Sequence, residues 1–481
     1  MLKNSFDEKM KSNKGAPASW CPLPWSHISI RNNGFYRVCC HSNVSEGEGI
    51  LKDEKKKAFH VSSAHWSELM NSSKMKKIRK NMLQGKWSKE CIRCQREYEL
   101  GMKSRNIYER KNLATNIESL EDYPSYLKAK NKTKKDGSLS ISDFPASFLD
   151  IRFGNLCNLK CIMCGPTESN KWYEDISFLD KQNYFYDSGI KNQLYKKGKV
   201  WKIKKDIYNW SENSHFWSQM EKHIKTIRRL YIVGGEPFLI KAHFDFLQKC
   251  IEESVSYKIE LEYNSNVTQI PKRAWEIWKH FKLVKVLASV DGFGKINDFI
   301  RYPSKWSSIK KNLNRFNSIE APFSVTFASS ISVLNIWHFP FFLQKLMEWN
   351  FKRSDQNYTA LVTSHPVHKP IYLNINILED EFKEKLTKRF DIFNKKISEF
   401  NWSEKYGKSY GYVWKIKVKR VNQVLSHYKR YLYKISFSKE ELKIQRKYFI
   451  LYMDSLDKIR NTNWSEVLPE LYVSTLSWRK L

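Results

Sequence analysis

Between Ser147 and Ser364 the apolar residues fall in short runs separated by longer stretches of helical period. The strand-like runs are SFLDIRF (Ser147 to Phe153), RRLYIVG (Arg229 to Gly235), KIELEYN (Lys258 to Asn264), LVKVLASVD (Leu283 to Asp291), FSVTFASSI (Phe323 to Ile331) and YTALVTS (Tyr358 to Ser364). Amphipathic runs such as AHFDFLQKCIEES and FFLQKLMEWNF lie between them. Short strands joined by helices predict parallel neighbours with right-handed crossovers. Six of them make an α/β fold, an open partial (β/α)6 TIM-like barrel over residues 146–378. From Glu379 the pattern becomes helical to the end, and SKEE at Ser438 to Glu441 predicts a capping box.

The amino-terminal part reads differently. In CPLPWSHISIRNNGFYRVCCHS, His27, Ser29 and Arg31 alternate with Ile28 and Ile30, and NNG turns the chain into FYRVCC, a β-hairpin pattern. Trp25 is the expected core anchor of this hairpin; His27 and His41 are expected on its surface rather than as metal ligands. One charged helical run, SSAHWSELMNSSKMKKIRKNML, precedes a Cys91-Ile-Arg-Cys94 pair. The basic stretch Lys128 to Ser140 reads as a linker. The chain thus divides into a flexible tail (1–20), a cysteine-bearing segment (21–110), a linker (111–145), the barrel (146–378) and a helical extension (379–481). Trp172 to Met220 forms a long insertion, suited to a lid or specificity element or to a peripheral helical elaboration.

A chain of 481 residues can bury a core without disulfides. The first twenty residues carry no apolar run of the signal-peptide kind, and no stretch approaches the ~18 apolar residues of a membrane span. The expected location is a reducing cytoplasm, where clustered cysteines serve as metal ligands or redox groups. The net charge of +34, from 84 Lys and Arg against 50 Asp and Glu, suits a nucleic acid or an acidic partner. The lysines are scattered, however, as on solvated helix faces.

Three of the nine cysteines, Cys157, Cys161 and Cys164, sit in GNLCNLKCIMCGP just past the first barrel strand. Functional groups of such barrels gather at the carboxyl ends of the strands. Three thiolates leave a tetrahedral zinc site incomplete, whereas a [4Fe-4S] cluster on three thiolates keeps one iron open to a further ligand. The C-x-x-x-C-x-x-C spacing resembles the signature of the radical S-adenosylmethionine (SAM) enzymes. VGGEPFL, Val233 to Leu239, is similar to that family's Gly-Gly-Glu-Pro motif. The resemblance implies SAM on the open iron, with Gly234, Gly235, Glu236 and Pro237 near its amine. It also implies SAM contacts from Asn264 in YNSNVT, Ser289 in SVDG and Arg301 in FIRYPSKW, the arginine pairing with the SAM carboxylate.

The pattern CPLPW…VCC…CIRC resembles a twitch domain, a shortened relative of the SPASM domain, here placed ahead of the core. The implied ligands of an auxiliary [4Fe-4S] cluster are Cys21, Cys39 or Cys40, Cys91 and Cys94. The spacing alone equally allows zinc. Cys250 stands apart, as a small apolar residue on a helix. The resemblances imply reductive cleavage of SAM to a 5'-deoxyadenosyl radical and hydrogen abstraction from a peptide or protein side chain, with an electron donor such as flavodoxin or ferredoxin. The rivals are a radical SAM enzyme acting on nucleic acid or a small molecule, and a non-catalytic metal-binding interaction protein.

Overall fold

The computed structural model describes residues 11–42, 49–99, 104–116, 123–179, 194–204, 207–319, 322–349, 362–407 and 411–481. They form two compact units. The first comprises Met1–Leu156, Asp206–Tyr263 and Lys272–Val284; the second comprises Cys157–Lys205, Asn264–Pro271 and Lys285–Leu481. The strands are β1 (His27–Ile30), β2 (Tyr36–Arg37), β3 (Phe148–Arg152), β4 (Leu194–Lys197), β5 (Val200–Ile203), β6 (Arg229–Val233), β7 (Glu260–Ser265), β8 (Leu283–Ser289), β9 (Phe323–Ile331) and β10 (Val362–Pro366). Six lie on the six strand-like runs; for the last, Tyr358 to Leu361 fall outside the described residues.

In the first unit the strand order is β2-β1-β3-β6-β7. The expected hairpin is present, with Ser29 opposite Arg37 and Ile30 opposite Tyr36. Its first strand is not free. It pairs in parallel with β3, His27 opposite Phe148 through Ile30 opposite Ile151, so the cysteine-bearing segment adds two strands beside the first core strand. His27 is consequently buried, not on the surface, and burial drives its pKa down to about 3. Trp25 is fully buried and donates to Thr133 Oγ1 at 2.9 Å, the anchor its position predicts.

Other expectations for this part are corrected by packing. Residues 11–20 are no loose tail: Trp20 is fully buried, and the Asn106 amide donates to the carbonyls of Ala18 and Trp20 at 2.8 and 3.0 Å. The supposed linker includes a helix, Tyr126–Lys132, capped by Ser125, and the side chain of Asn71 bonds both the N–H and the carbonyl of Leu139. Polar composition concealed these contacts because single aromatic residues, Trp20 against Trp25 and Tyr126, and bonds to backbone groups make them rather than a periodic apolar stripe. The single helical run is two helices, Trp66–Met70 and Ser73–Leu83, parted at Asn71 and Ser72.

The strands alternate between an apolar face and a charged one. Leu149, Ile151, Leu230, Ile232 and Leu261 belong to the first and are buried. Asp150, Arg229 and Glu262 belong to the second, onto which helix Arg105–Asn116 brings two more charges. Arg229 lies 3.0 Å from Glu109 and 2.5 Å from Glu262, and Arg105 lies 2.8 Å from Glu109. Burial opposes the Arg229 cation, but Glu262, Glu109 and Glu260 more than offset it and raise its pKa.

In the second unit the order is β10-β9-β8, and β9 and β10 are parallel, Phe327 opposite Val362. β4 and β5 make a separate antiparallel hairpin within the insertion, whose residues 180–193 lie outside the described set. The extension is helical as expected: Asp380–Glu399, Gly411–Tyr431 and Lys439–Arg460. Ser438 and Glu441 form the capping box reciprocally, at 3.2 and 2.8 Å. Among the described residues no helix is long and apolar enough to cross a membrane.

Replacing Arg229 with Met leaves Glu262 without its cation and Glu109 with Arg105 alone. The expected loss is about 3–5 kcal/mol in urea unfolding of the full chain; a loss below about 1 kcal/mol would show that the carboxylates find other partners.

Candidate functional site

The loop after β3 carries the first cysteine set. Cys157 and Cys161 are buried with Leu159, and Met163 and Cys164 pack against them. Its backbone is fixed by pairing: Lys160 N–H donates to the Tyr302 carbonyl at 2.7 Å and Ile162 N–H to that of Ile300 at 2.8 Å. Helix Lys439–Arg460 braces the same loop, with Tyr452 Oη donating to the Ile162 carbonyl at 2.7 Å. Trp172 Nε1 donates to the Cys161 carbonyl at 3.2 Å. Beneath it the fully buried Asp175 takes Lys160 Nζ at 2.5 Å and Arg460 Nε at 2.8 Å.

Asn158, between the first two cysteines, bonds Thr268 Oγ1 and accepts from Asn266 Nδ2, both at 2.8 Å. Asn264 itself is half-buried, and its Oδ1 has no hydrogen-bond partner among the described residues. Arg301 Nη1 stands 4.0 Å from Cys161 Sγ, and its Nε 2.8 Å from the Asp291 carboxylate. Burial works against the Arg301 cation, but Asp291 and the Cys161 sulfur hold its pKa above the usual value. A hydrogen bond from Cys164, helped by Arg301, pulls the Cys161 thiol below the ordinary range despite its burial. Cys164 is pushed up by that bond and by burial. Ser289, half-buried at the end of β8, contributes no bond to this set.

In the first unit the Gly-Gly-Glu-Pro turn follows β6. Gly234 and Gly235 have φ of +93° and +52°, and Glu236 N–H donates to the carbonyl of Leu156 at 2.8 Å, the residue before Cys157. A Cβ on Gly235 would lie 2.2 Å from that carbonyl, so only glycine lets the turn approach this closely. Glu236 is buried and caps the turn Pro237–Leu239 through Phe238 N–H at 3.3 Å.

The second cysteine set converges in the same unit. Cys21, Cys39, Cys91 and Cys94 line one cavity with His41 and Arg105. Burial, then the other thiols of this set, pushes the Cys21 thiol well up. Cys40 does not line the cavity: burial and the Asp150 carboxylate push its thiol to about 12, among the charges of Arg105 and Arg37. His41, Cys94 and Glu97 also place one ligand atom each within 4.8 Å of one another. Cys250 is buried on helix Lys241–Glu252, as its setting predicts.

Residues 21–95 match the SPASM family, an iron–sulfur cluster-binding domain. That span covers all five cysteines of the amino-terminal set. Among solved structures, native anSMEcpe with bound AdoMet aligns at 16% identity over 50% of this chain, with a TM-score of 0.31. The chain spans 58% of the length of that structure. Streptococcus suis SuiB bound to the precursor peptide SuiA aligns at 14% identity over 77% of this chain and 70% of SuiB, also at 0.31. No curated protein matches. At such scores the weight rests on this chain's own residues.

Asp291, Asp175, Tyr452 and Arg460 were not foreseen as site residues. The Asp in SVDG was at least visible at a strand end; nothing in the periodicity of the last long helix marks Tyr452 or Arg460. Gly235→Ala is expected to destabilise the first unit by about 1–3 kcal/mol through the carbonyl clash and the positive φ. Thermal unfolding beside a Gly198→Ala control, where a Cβ meets nothing within 4 Å, checks that the clash and not φ dominates.

Proposed function

We propose that the protein is a radical SAM enzyme acting on a peptide or protein side chain, built on a partial parallel barrel. In this reading Cys157, Cys161 and Cys164 hold the SAM-binding [4Fe-4S] cluster. The observation that carries it is the fixed loop: three clustered thiols on a backbone paired to residues 300–302, with a guanidinium 4.0 Å from Cys161 Sγ. Three thiolates and a vacant fourth position fit such a cluster and leave a zinc site incomplete. When bound, the cluster and SAM supply one-electron cleavage of a carbon–sulfur bond and a 5'-deoxyadenosyl radical that takes hydrogen from the substrate.

The residues of the chain position and shield. Arg301, kept cationic by Asp291, stabilises thiolates at the loop and offers its remaining N–H groups to a carboxylate. In the second unit the unpartnered Asn264 Oδ1 is an acceptor suited to an ammonium. Asp175, Tyr452 and Trp172 hold the loop from behind, which keeps the thiols in place as protons leave them.

The SPASM match supports an auxiliary [4Fe-4S] cluster on Cys21, Cys39, Cys91 and Cys94. Cys39 rather than Cys40 is the fourth ligand in this reading, because Cys39, at the head of the turn closed by Ser42, lines the shared cavity and Cys40 does not. Four thiols on one cavity suit a cluster with every iron held by the chain, the cofactor class of the matched domain.

Anaerobically reconstituted protein is expected to hold about eight irons per chain and to form 5'-deoxyadenosine from SAM with dithionite. Cys161→Ala should abolish the product, and Cys39→Ala should remove about half the iron while Cys40→Ala does not. Product formation that survives Cys161→Ala would overturn the assignment of the core cluster. Equal iron loss in the two amino-terminal variants would overturn the choice of Cys39.

A further inference from the structure

The carboxyl-terminal helices of the second unit enclose a groove that the cysteine chemistry does not use. Helix Asp380–Glu399, the short helix Trp402–Tyr406 and helix Gly411–Tyr431 surround a cavity of about 730 Å³, a size that suits a ligand or a few side chains of a partner. Its floor is apolar. Ile397 and Trp414 are buried there, Trp402 and Val418 are half-buried, and Phe400 is exposed. The floor is also held in place: Trp402 stacks on Trp414 with centroids 4.3 Å and planes 10° apart, and its Nε1 donates to the Ile397 carbonyl at 2.8 Å.

The rim carries charge of one sign. Lys415, Lys419 and Arg430 line the groove and are exposed, and no carboxylate among the described residues lines it. The carboxylates of the same helices are engaged elsewhere: Asp391 with Lys429 at 2.6 Å, Glu399 with Lys395 at 4.0 Å, and Glu404 with the Asn401 amide at 3.1 Å. Lys415 and Lys419 stand one helical turn apart, where like charges repel and an anion between them relieves both. Two neighbouring amides complete the lining. Gln423 Oε1 takes Arg420 at 3.2 Å, which leaves its amide nitrogen as a donor, and Asn422 Oδ1 has no hydrogen-bond partner among the described residues.

We propose that this groove docks an acidic peptide segment, with apolar side chains on the Trp402–Trp414 floor and carboxylates on Lys415, Lys419 and Arg430. An apolar centre within a polar rim is the anatomy of a protein-binding surface. One open donor beside one open acceptor matches a peptide unit, whereas a phosphodiester only accepts. A second copy of this chain, at a net charge of +34, would bring cations to cations. The groove adds a binding site to the peptide-modifying reading above and does not depend on it.

The test is fluorescence polarisation on the reconstituted full chain at about 0.15 M salt. The probe is a labelled peptide, Glu-Glu-Leu-Phe-Glu-Glu, beside one relative with Gln for every Glu and another with Ser for Leu and Phe. The parent peptide is expected to bind about ten-fold more tightly than either. Lys415→Glu combined with Lys419→Glu should abolish the preference over the glutamine peptide, and Phe400→Ser should reduce the preference over the serine peptide. Because the whole chain is basic, Lys443→Glu combined with Lys447→Glu serves as control: the same spacing, exposed on helix Lys439–Arg460 and outside the groove, with both preferences expected to remain. Equal loss in the two double variants would assign the binding to overall charge and overturn the groove. A thymidine oligonucleotide that displaces the probe better than unlabelled peptide would give the groove to nucleic acid, and a dimer dissolved by the Lys415 and Lys419 changes would give it to a second copy; either sinks the proposal. So does an absence of binding up to about 1 mM. Should the groove double variant lose its unfolding transition, Arg430→Gln decides in its place. 5'-Deoxyadenosine formation is followed in parallel: its absence with the peptide preference intact would remove the enzyme and keep the groove, and its presence without the preference would do the reverse.

Discussion

The cysteine loop of the second unit depends on two backbone hydrogen bonds, Lys160 to Tyr302 and Ile162 to Ile300, at 2.7 and 2.8 Å. They join the loop to the segment that carries Arg301, and so set a cation against Cys161. Without them the three thiols would be neighbours in sequence with no fixed spacing. The loop buries Leu159, Ile162 and two of its thiols but forms no helix or strand of its own. Its shape is therefore imposed from outside, by the 300–302 segment, by Asn158 on the residues after β7, and by the last long helix through Tyr452.

That helix gives the carboxyl-terminal extension a role beyond bulk. Arg460 and Lys160 converge on the fully buried Asp175, an arrangement in which removing Asp175 would strand the Arg460 cation in low dielectric. Arg460 also lies over the rings of Trp172 and Tyr302, at 4.8 and 5.2 Å. The first unit uses the same device on a larger scale. Its strands bury one apolar and one charged face, and the charged face is tolerable only because Arg229 and Arg105 meet Glu109 and Glu262 directly.

Much of the fold was legible in the chain. The runs around Ile151, Ile232, Leu261, Val286 and Val325 announced strands because apolar side chains on one face repeat every second residue. The hairpin announced itself through Asn-Asn-Gly. What could not be read was which strand the hairpin would join. Its pairing with β3 is made by backbone groups that every residue carries, so sequence offered no signal, and His27 was expected in solvent when it lies in the core. The same blindness hid residues 11–20 and the helix at Tyr126–Lys132. Both are held by bonds to backbone carbonyls and by one isolated aromatic contact, Trp20 on Tyr126, and not by an apolar stripe.

The sequence by itself determined the local chemistry: two sets of thiols, a loop with one ligand too few, a turn that demands glycine at residues 234 and 235, and strands of fixed period. Those follow from covalent spacing and backbone sterics, which act over a few residues. Tertiary structure alone decided that Cys39 enters the cavity with Cys21, Cys91 and Cys94 while Cys40 turns to the charges around Asp150. It alone brought Tyr452 and Arg460 to a loop nearly three hundred residues away in the chain. Such choices depend on which distant surfaces can bury their charges together, a property of the packed chain that no single segment contains.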